Sequence, residues 1–381
     1  MKLLLIHNRY RSQNIGGEDI VFDNEVNLLQ KKLGIDNIFV YEVFNDDIKK
    51  FKLLFEVWFS FKHYSNIKKI VKNNKIDIVH IHNFFPRLTP SIFKAAKVGG
   101  AKVIHTLHNY RLWCISGILY RDGYGICEQC AHQKFSLSGI RHQCYRTSLF
   151  QSLVAQMAFW FYRMIKIFDV IDYFFVLTDF QKEKIKSLRI EESRIILKPN
   201  SLLLNVQSSS LKDGYIFVGR LEESKGIVEL LEVWKQLGER YRLTIIGNGT
   251  LLEVLKKHYS QANIVFMGKC SREETLQNIA KAKYLIQPSL LYETFGLTVI
   301  EAFACATPVI GLNIGTRKDF IESGVNGFIC NLNELKATIE QSLAYGAYEL
   351  LCKNAFLKAK EFDNDAVITK QIEIYRSILE K

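Results

Sequence analysis

Short, almost uninterrupted apolar runs alternate with longer amphipathic stretches along the whole chain. Runs at Leu3–His7, Asn37–Tyr41, Ile76–His82, Lys102–Leu107, Ile171–Leu177 and Ile195–Lys198 predict strands, being brief and rich in Val, Ile and Phe. Between them apolar residues recur at helical spacing over roughly 18–33, 48–73, 89–97, 149–168 and 179–188. The rhythm then restarts, with strands at Tyr215–Val218, Leu243–Ile246, Ile264–Met267, Tyr284–Gln287, Pro308–Gly311 and Phe328–Cys330. Helices are predicted near 226–238, 249–258, 271–282, 297–306, 317–323 and 332–345. Strands this uniformly apolar need cover on both faces, so the pattern predicts an α/β fold of doubly wound, Rossmann-like parallel sheets.

The two halves are separated by Pro199-Asn200 and an aperiodic stretch, Ser201 to Asp213, containing Ser208-Ser209-Ser210. This places a first domain at 1–200, with a Cys-rich insertion at 110–148, and a second at 201–362. A final helix covers 363–381. Ligands of such sheets bind at the carboxyl ends of the strands, so residues just after each strand are the first candidates for chemistry.

Gln287 to Glu301 is the richest such stretch. A strand runs through Pro288-Ser289 to Glu293 and Gly296, and then into an apolar-periodic helix carrying Glu301. The first turn of a helix has unpaired N–H groups at its positive end, so Phe295, Gly296 and Leu297 are placed to meet a phosphate. Were the segment helical throughout, Glu293 and Glu301 would stand roughly 12 Å apart along the axis. A retaining glycosidase needs its carboxyls about 5–5.5 Å apart, so the two acids are read as touching different parts of one long ligand. The plain alternative is a helix-dipole partner and a solvated helix residue.

Three more glycine turns sit between a strand and a helix. Gly17, in Gly16-Gly17-Glu18, would expose N–H groups to a phosphate. In Gly219-Arg220-Leu221-Glu222-Glu223-Ser224-Lys225-Gly226, Arg220 and Lys225 have the charge and reach to hold a diphosphate. Gly247-Asn248-Gly249 lacks the third glycine of a dinucleotide fingerprint, and no acid stands in a ribose position, which argues against an NAD-linked oxidoreductase. Among the histidines, His80, His82 and His105 lie within strands and are expected to be buried and hydrogen bonded. His108, just past a strand end, is the one assigned to a site.

Cys114, Cys127, Cys130 and Cys144 follow a C-x12-C-x2-C-x13-C spacing in an irregular segment. Four thiolates of this kind can close a structural zinc site, with His132 or His142 able to replace one sulfur; free buried thiols are the alternative. The other four cysteines lack such spacing. No apolar run reads as a signal peptide or a spanning helix, since Gln151, Gln156, Arg163 and Lys166 interrupt the most lipid-like stretch, 149–168. A cytoplasmic protein with reduced cysteines is therefore expected.

Net charge is +12, and all of the excess lies in the first half: 30 Lys and Arg against 18 Asp and Glu over 1–200, but 21 against 21 thereafter. An anionic partner is implied on that side. Residues 48–72 mix seven lysines and six aromatics with one acid, the composition of a basic amphipathic surface helix. An anionic membrane surface is the expected partner of 48–72, with 149–168 sharing the task. A codon-driven lysine excess would give the same composition.

Together these positions resemble the retaining nucleotide-sugar glycosyltransferases of family 4, which have the GT-B fold of two Rossmann-like domains facing across a cleft. The likeness spans nearly the whole chain and is strongest from Gly219 to Gly327. There GRLEESKG, the E-T-F-G-L-x-x-x-E run from Glu293 to Glu301, and A-x-P-V-I from Ala306 to Ile310 keep family order and spacing. HNYRLWC, RDG, CEQC and RHQCYRTS resemble members that assemble O-antigen and capsule polysaccharides.

The resemblance implies that Arg220 and Lys225 clamp the donor diphosphate, that Phe295, Gly296 and Leu297 contact sugar and phosphate, and that Glu301 binds ribose. It also implies that Glu293 binds hydroxyls of the transferred sugar, that Gly17 lies near the diphosphate and that His108 lies beside the donor sugar. The implied catalytic set is Glu293, His108, Arg220 and Lys225. The implied reaction is metal-independent, retaining transfer of a hexose-type sugar from a nucleoside diphosphate, UDP rather than GDP, to a lipid-linked saccharide at the inner face of the membrane. The last helix would cross back to the N-terminal domain.

Two positions depart from the family pattern. Ala306 replaces a usual Gly, and the Gly-Gly-x-x-Glu expected near 314–319 reads Ile314-Gly315-Thr316-Arg317-Lys318-Asp319. The sole Asp-x-Asp, Asp363-Asn364-Asp365, reads as a helix start. The competing functions are a basic, zinc-containing nucleic-acid-binding protein, which leaves the Gly/Glu/Lys set of the charge-balanced second half without purpose, and a GT-B phosphorylase or hydrolase.

Overall fold

The structure is a computed structural model and describes residues 1–10, 16–47, 56–131, 133–204 and 211–381. The chain forms two compact units. The first comprises Met1–Leu119, Glu128–Ser201 and Asn364–Lys381, and the second Tyr120–Cys127 and Leu202–Asp363.

Six strands make the first sheet: β1 (Leu3–Arg9), β2 (Ile38–Phe44), β3 (Ile78–Ile81), β4 (Lys102–Thr106), and, after the two-residue strands β5 (Tyr120–Arg121) and β6 (Gly125–Ile126) of a separate hairpin, β7 (Tyr173–Val176) and β8 (Ile195–Leu197). Their order is β2-β1-β3-β4-β7-β8 and every pairing is parallel. β1 is buried from Leu3 to Asn8, as expected for a strand near the centre of a sheet covered on both sides.

Helix Gly17–Leu33 packs Phe22 and Leu29 into this core. Helix Asn364–Glu380, at the far end of the sequence, adds Ile368, Ile372, Tyr375 and Ile378 to the same core. Those four positions, spaced by three or four, form one apolar stripe whose natural cover is this sheet.

The second unit repeats the plan with β9 (Tyr215–Val218), β10 (Leu243–Ile246), β11 (Ile264–Gly268), β12 (Tyr284–Gln287), β13 (Val309–Leu312) and β14 (Gly327–Cys330). The order is β11-β10-β9-β12-β13-β14, again all parallel. Helix Ile227–Leu237 buries Ile227, Leu230, Leu231, Trp234 and Leu237 on this sheet, and Trp234 Nε1 donates to the Tyr241 carbonyl at 2.9 Å.

Each of the twelve strands predicted from the apolar runs is present. Tyr348–Ala359 is an additional helix. The hairpin Tyr120–Cys127, expected within the first domain, belongs to the second unit, where the Gly123 N–H donates to Glu223 Oε1 at 2.7 Å. Residues 48–55 of the anticipated basic helix, His132 and 205–210 lie outside the described residues.

Candidate active site

In the second unit the carboxyl ends of β9 and β12 lie side by side, since the two strands pair directly. After β9, Glu223–Lys225 makes one 3-10 turn that ends at Gly226 with φ +68°. A Cβ at Gly226 would sit 1.9 Å from the Pro288 carbonyl oxygen, so only glycine lets this turn lie on the Pro288-Ser289 backbone. The Leu290 N–H then donates to the Ser224 carbonyl at 3.0 Å, tying the two loops together.

The consequence is a fixed side-chain cluster. Lys225 Nζ donates to Glu293 Oε1 at 2.6 Å, and Ser289 Oγ stands 2.8 Å from the same oxygen. Lys225 and Glu293 are 16% and 15% exposed, so the pair reaches a surface but is not flooded by water. Burial alone would raise the Glu293 pKa. The charges of Lys225 and Arg317 and the hydrogen bonds from Lys225 and Ser289 outweigh it and hold Glu293 down at about 2. Glu293 is therefore a carboxylate at neutral pH.

Arg317 is the feature that sequence reasoning missed. It lies in the loop that departs from the family pattern, and it is 1% exposed. Its guanidinium donates to the carbonyls of Leu291 (Nη1, 3.2 Å), Leu312 (Nε, 3.3 Å) and Ser289 (Nη2). It thus braces the backbone on both sides of Leu290, immediately before Glu293. A basic residue beside a strand end, directly after Gly315-Thr316, was the available signal.

Helix Leu297–Ala304 starts at Gly296, whose φ is +84°. Residues 293–296 are not helical, so the rise computed for a continuous helix does not apply between Glu293 and Glu301. Phe295 turns inward, stacking edge-on against Phe320 at 5.1 Å and Phe362 at 5.7 Å. Glu301 is 16% exposed, with Arg272 Nη2 3.5 Å away. Burial raises the Glu301 pKa, and the Arg272 charge only partly offsets this. The Arg220 side chain is 63% exposed and bonds Glu222 at 2.8 Å.

The Gly247-Asn248-Gly249 turn has a packing role. A Cβ at Gly247 would meet the Gly219 carbonyl oxygen at 1.8 Å, so this turn supports the strand end that leads to Arg220.

In the first unit, Gly17 is the exposed first residue of its helix, and Asp19 closes the turn by accepting from the Gly16 N–H at 2.9 Å and pairing with His7 Nε2 at 2.8 Å. His108 follows β4 and lines a pocket with His82, Asn83, His105, Asn109 and Arg111. His82 Nδ1 is 2.8 Å from His108 Nε2. His80, His82 and His105 are buried, as their in-strand positions indicated.

Among the described residues, the ligand atoms of Glu25, His80 and His82 are the group of three that lies within 4.8 Å of one another. Lys198 Nζ is 2.5 Å from Glu25 Oε2 and already supplies the positive charge that a metal ion would bring.

Among the described residues, the sulfurs of Cys114, Cys130 and Cys144 do not all lie within 4.8 Å of one another. Cys114 Sγ contacts Ser116 Oγ at 3.1 Å. The loops of the insertion are pinned by Arg163, which donates to the carbonyls of Leu112, Gln133 and Lys134 at 2.9–3.1 Å.

Residues 34–202 match Glycosyltransferase Family 4, and residues 208–349 match Glycosyl transferases group 1. N-acetyl-alpha-D-glucosaminyl L-malate synthase of Bacillus anthracis is 25% identical over 147 residues, which is 36% of this chain and 38% of that protein. The chain thus spans well under half the length of this curated relative.

Sucrose-phosphate synthase from Thermosynechococcus elongatus superposes with a TM-score of 0.72 at 18% identity, covering 100% of this chain and 99% of the other. Anabaena HepE in complex with UDP and glucose gives 0.66 at 15% identity, covering 99% and 100%. Both likenesses establish the GT-B fold. With its two halves matched in order, the chain belongs to the two-domain glycosyltransferases that join a family 4 N-terminal half to a group 1 C-terminal half.

Proposed function

We propose that this protein transfers a hexose-type sugar from a nucleoside diphosphate, UDP rather than GDP, to a saccharide acceptor with retention of anomeric configuration. The observation that carries the reading is the Lys225–Glu293 pair, braced by Arg317 and set immediately before the helix that starts at Gly296. A leaving diphosphate accumulates negative charge in the transition state. A preorganised ammonium and a helix N-terminus stabilise that charge without rearranging. Arg220, exposed on the same loop, is free to swing from Glu222 to the phosphates.

Glu293, held ionised, accepts hydrogen bonds from sugar hydroxyls, and Glu301 binds the ribose. In the first unit, Gly17 N–H groups serve the diphosphate and His108 the donor sugar. The acceptor hydroxyl attacks from the face the diphosphate leaves, with the leaving phosphate taking its proton. The chemistry is assigned no metal, since charge stabilisation comes from Lys225, Arg220 and backbone N–H groups. UDP is favoured because a fold neighbour is described in complex with UDP and glucose.

The acceptor is assigned as lipid-linked, in assembly of a cell-surface polysaccharide. Helix Leu149–Met164 and its flank expose Leu149, Phe150, Leu153, Met157, Trp160, Met164 and Ile165. Exposed Arg141 and Arg146 precede this face and exposed Lys166 follows it, as suits an anionic bilayer surface. Helix Phe61–Asn74 buries His63, Ile67 and Val71 and leaves Phe61 and its lysines outside, a basic face that would lie on the same surface. Among the described residues no helix is long and apolar enough to cross a membrane.

A panel of UDP- and GDP-sugars, screened first by thermal shift and then by turnover on lipid-linked oligosaccharides, tests the reading. A shift with UDP-sugars and product only with the acceptor supports it. Turnover without any nucleotide sugar, or release of free sugar alone, would favour a phosphorylase or hydrolase.

A further inference from the structure

The loop from β9 to helix Ile227–Leu237, residues 219–226, is held at two places. One is the seat of Ser224 and Gly226 on the backbone of Pro288 and Leu290. The other is a hairpin whose tip lies 100 positions earlier in the sequence. β5 and β6 pair antiparallel, Tyr120 with Ile126 and Arg121 with Gly125. The Tyr124 N–H closes the turn between them on the Arg121 carbonyl at 3.0 Å, and Gly123 in that turn has φ +67°. The turn leaves the Gly123 N–H pointing at Glu223 Oε1, to which it donates at 2.7 Å.

Glu223 depends on that donor because its neighbours are acids. Glu229, in the first turn of helix Ile227–Leu237, and Asp122, beside Gly123, both have raised pKa values, through burial first and also through the Glu223 charge. Tyr120, 6% exposed, is pushed up to about 12 by burial and by the charges of Glu223, Glu229 and Asp122, so it stays a neutral phenol among them. The two cations of the loop are engaged elsewhere, Arg220 with Glu222 and Lys225 with Glu293. Like charge therefore pushes the Glu223 carboxylate away, and the Gly123 amide holds it in place.

Glu223 opens the 3-10 turn that presents Lys225. Its carbonyl accepts from the Gly226 N–H at 2.9 Å, and the Lys225 N–H donates to the Glu222 carbonyl at 3.0 Å, so a shift of Glu223 passes directly to Lys225. We propose that hairpin Tyr120–Cys127 is a positioning element for the diphosphate-binding lysine: the Gly123 N–H, acting through Glu223, fixes the turn from which Lys225 reaches its ligand. The inference rests on the assignment of Lys225 to the donor diphosphate. Glu223 serves as a hydrogen-bond acceptor for the hairpin, a task that needs its oxygen and not its charge.

Amide hydrogen exchange at Lys225 and Gly226 in the full-length protein, without ligand, tests the hold of the hairpin. Glu223→Ala removes the acceptor, and Gly123→Val puts a β-branched residue at positive φ, where an added Cβ meets no neighbour. Each should speed exchange about tenfold, the loss of one hydrogen bond to a charged group. Glu223→Gln keeps an acceptor oxygen and Gly123→Asn tolerates the left-handed backbone, so both should exchange as wild type does. UDP affinity, measured by titration calorimetry, should fall by about threefold or more in the first two variants, since binding must draw the turn back into place. It should hold in the other two. Unchanged exchange in Glu223→Ala or Gly123→Val overturns the hairpin's role whatever the nucleotide does, and either variant decides if the other fails to fold. Glu223→Gln behaving like Glu223→Ala overturns it too, because the charge would then be what matters. Faster exchange with native UDP affinity overturns the link to the lysine's ligand. A wild-type protein that binds neither UDP nor GDP would instead overturn the diphosphate assignment and with it the positioning role, leaving the exchange result to stand.

Discussion

Lys225 Nζ and Glu293 Oε1 are 2.6 Å apart although 68 positions separate them in sequence. The contact exists because Gly226 lets one strand-end loop lie on the Pro288 backbone of the next. In the proposed reaction the ammonium turns toward the diphosphate and the carboxylate toward the sugar, so this ion pair is the resting state of two ligand contacts.

Lys225→Ala should lower kcat/KM by about 10²–10³-fold, the loss seen when one preorganised charge-stabilising donor is removed. Steady-state kinetics with the donor identified by the nucleotide-sugar panel measures it. Wild-type turnover would remove Lys225 from the diphosphate clamp.

Arg317→Met should destabilise the second unit by about 3 kcal/mol or more, because it leaves buried carbonyls without a donor and removes one of the two positive charges, Lys225 being the other, that hold Glu293 ionised. The urea midpoint of unfolding reports this. A variant as stable as wild type would mean that the Ser289–Leu291 backbone holds its shape unaided.

Replacing Gly226 with Ala sets a Cβ against the Pro288 carbonyl in a left-handed backbone conformation. The expected result is a protein that folds with a lower melting temperature and loses donor-induced thermal shift, since the Lys225 loop must lift away. Retention of the full shift would show that the loop's position does not matter to donor binding.

Acid should weaken the first unit from about pH 6.5 downward. Burial lowers the His82 pKa to about 3 and that of His105 to about 4. Between those values and the unfolded value near 6.5, the unfolded chain binds more protons, so stability falls as pH falls, by about 1.4 kcal/mol per unit for each ring. Glu293 adds a loss in the second unit at lower pH: its folded value of about 2 lies below the unfolded one near 4.5, and its stabilisation disappears across that interval. Urea midpoints at pH 7.5, 6 and 5 test the histidine window; a flat profile from 6.5 to 5 contradicts it.

Met157→Asp and Trp160→Asp, each on the exposed face of helix Leu149–Met164, should cut binding to phosphatidylglycerol vesicles at least tenfold while leaving the melting temperature nearly unchanged. Vesicle co-sedimentation at low salt measures the partition. Equal binding by the variants would reassign the face to another partner.

The strands were legible because buried parallel strands are apolar on both sides, and Leu3–Ile6 or Tyr284–Ile286 fit little else. Helix Tyr348–Ala359 was not, since Leu350 and Leu357 face solvent opposite buried Leu351 and Ala355, erasing the contrast on which periodicity depends. The strand-end positions of Lys225, Glu293 and Gly296 follow from local spacing. Arg317 read as a departure because nothing local shows that its guanidinium turns inward. Glu25 was invisible for a different reason: its partners Lys198 and Gln371 lie 173 and 346 positions away, and only the fold brings them together.

Helix Asn364–Glu380 also sets an order of assembly. The first unit cannot complete its core until these late residues have been synthesised, whereas the second has all of its chain once Asp363 has been added. Glu25 acquires its Gln371 contact only when this helix docks, so until then the first unit leaves the apolar surface under Ile368, Ile372, Tyr375 and Ile378 uncovered.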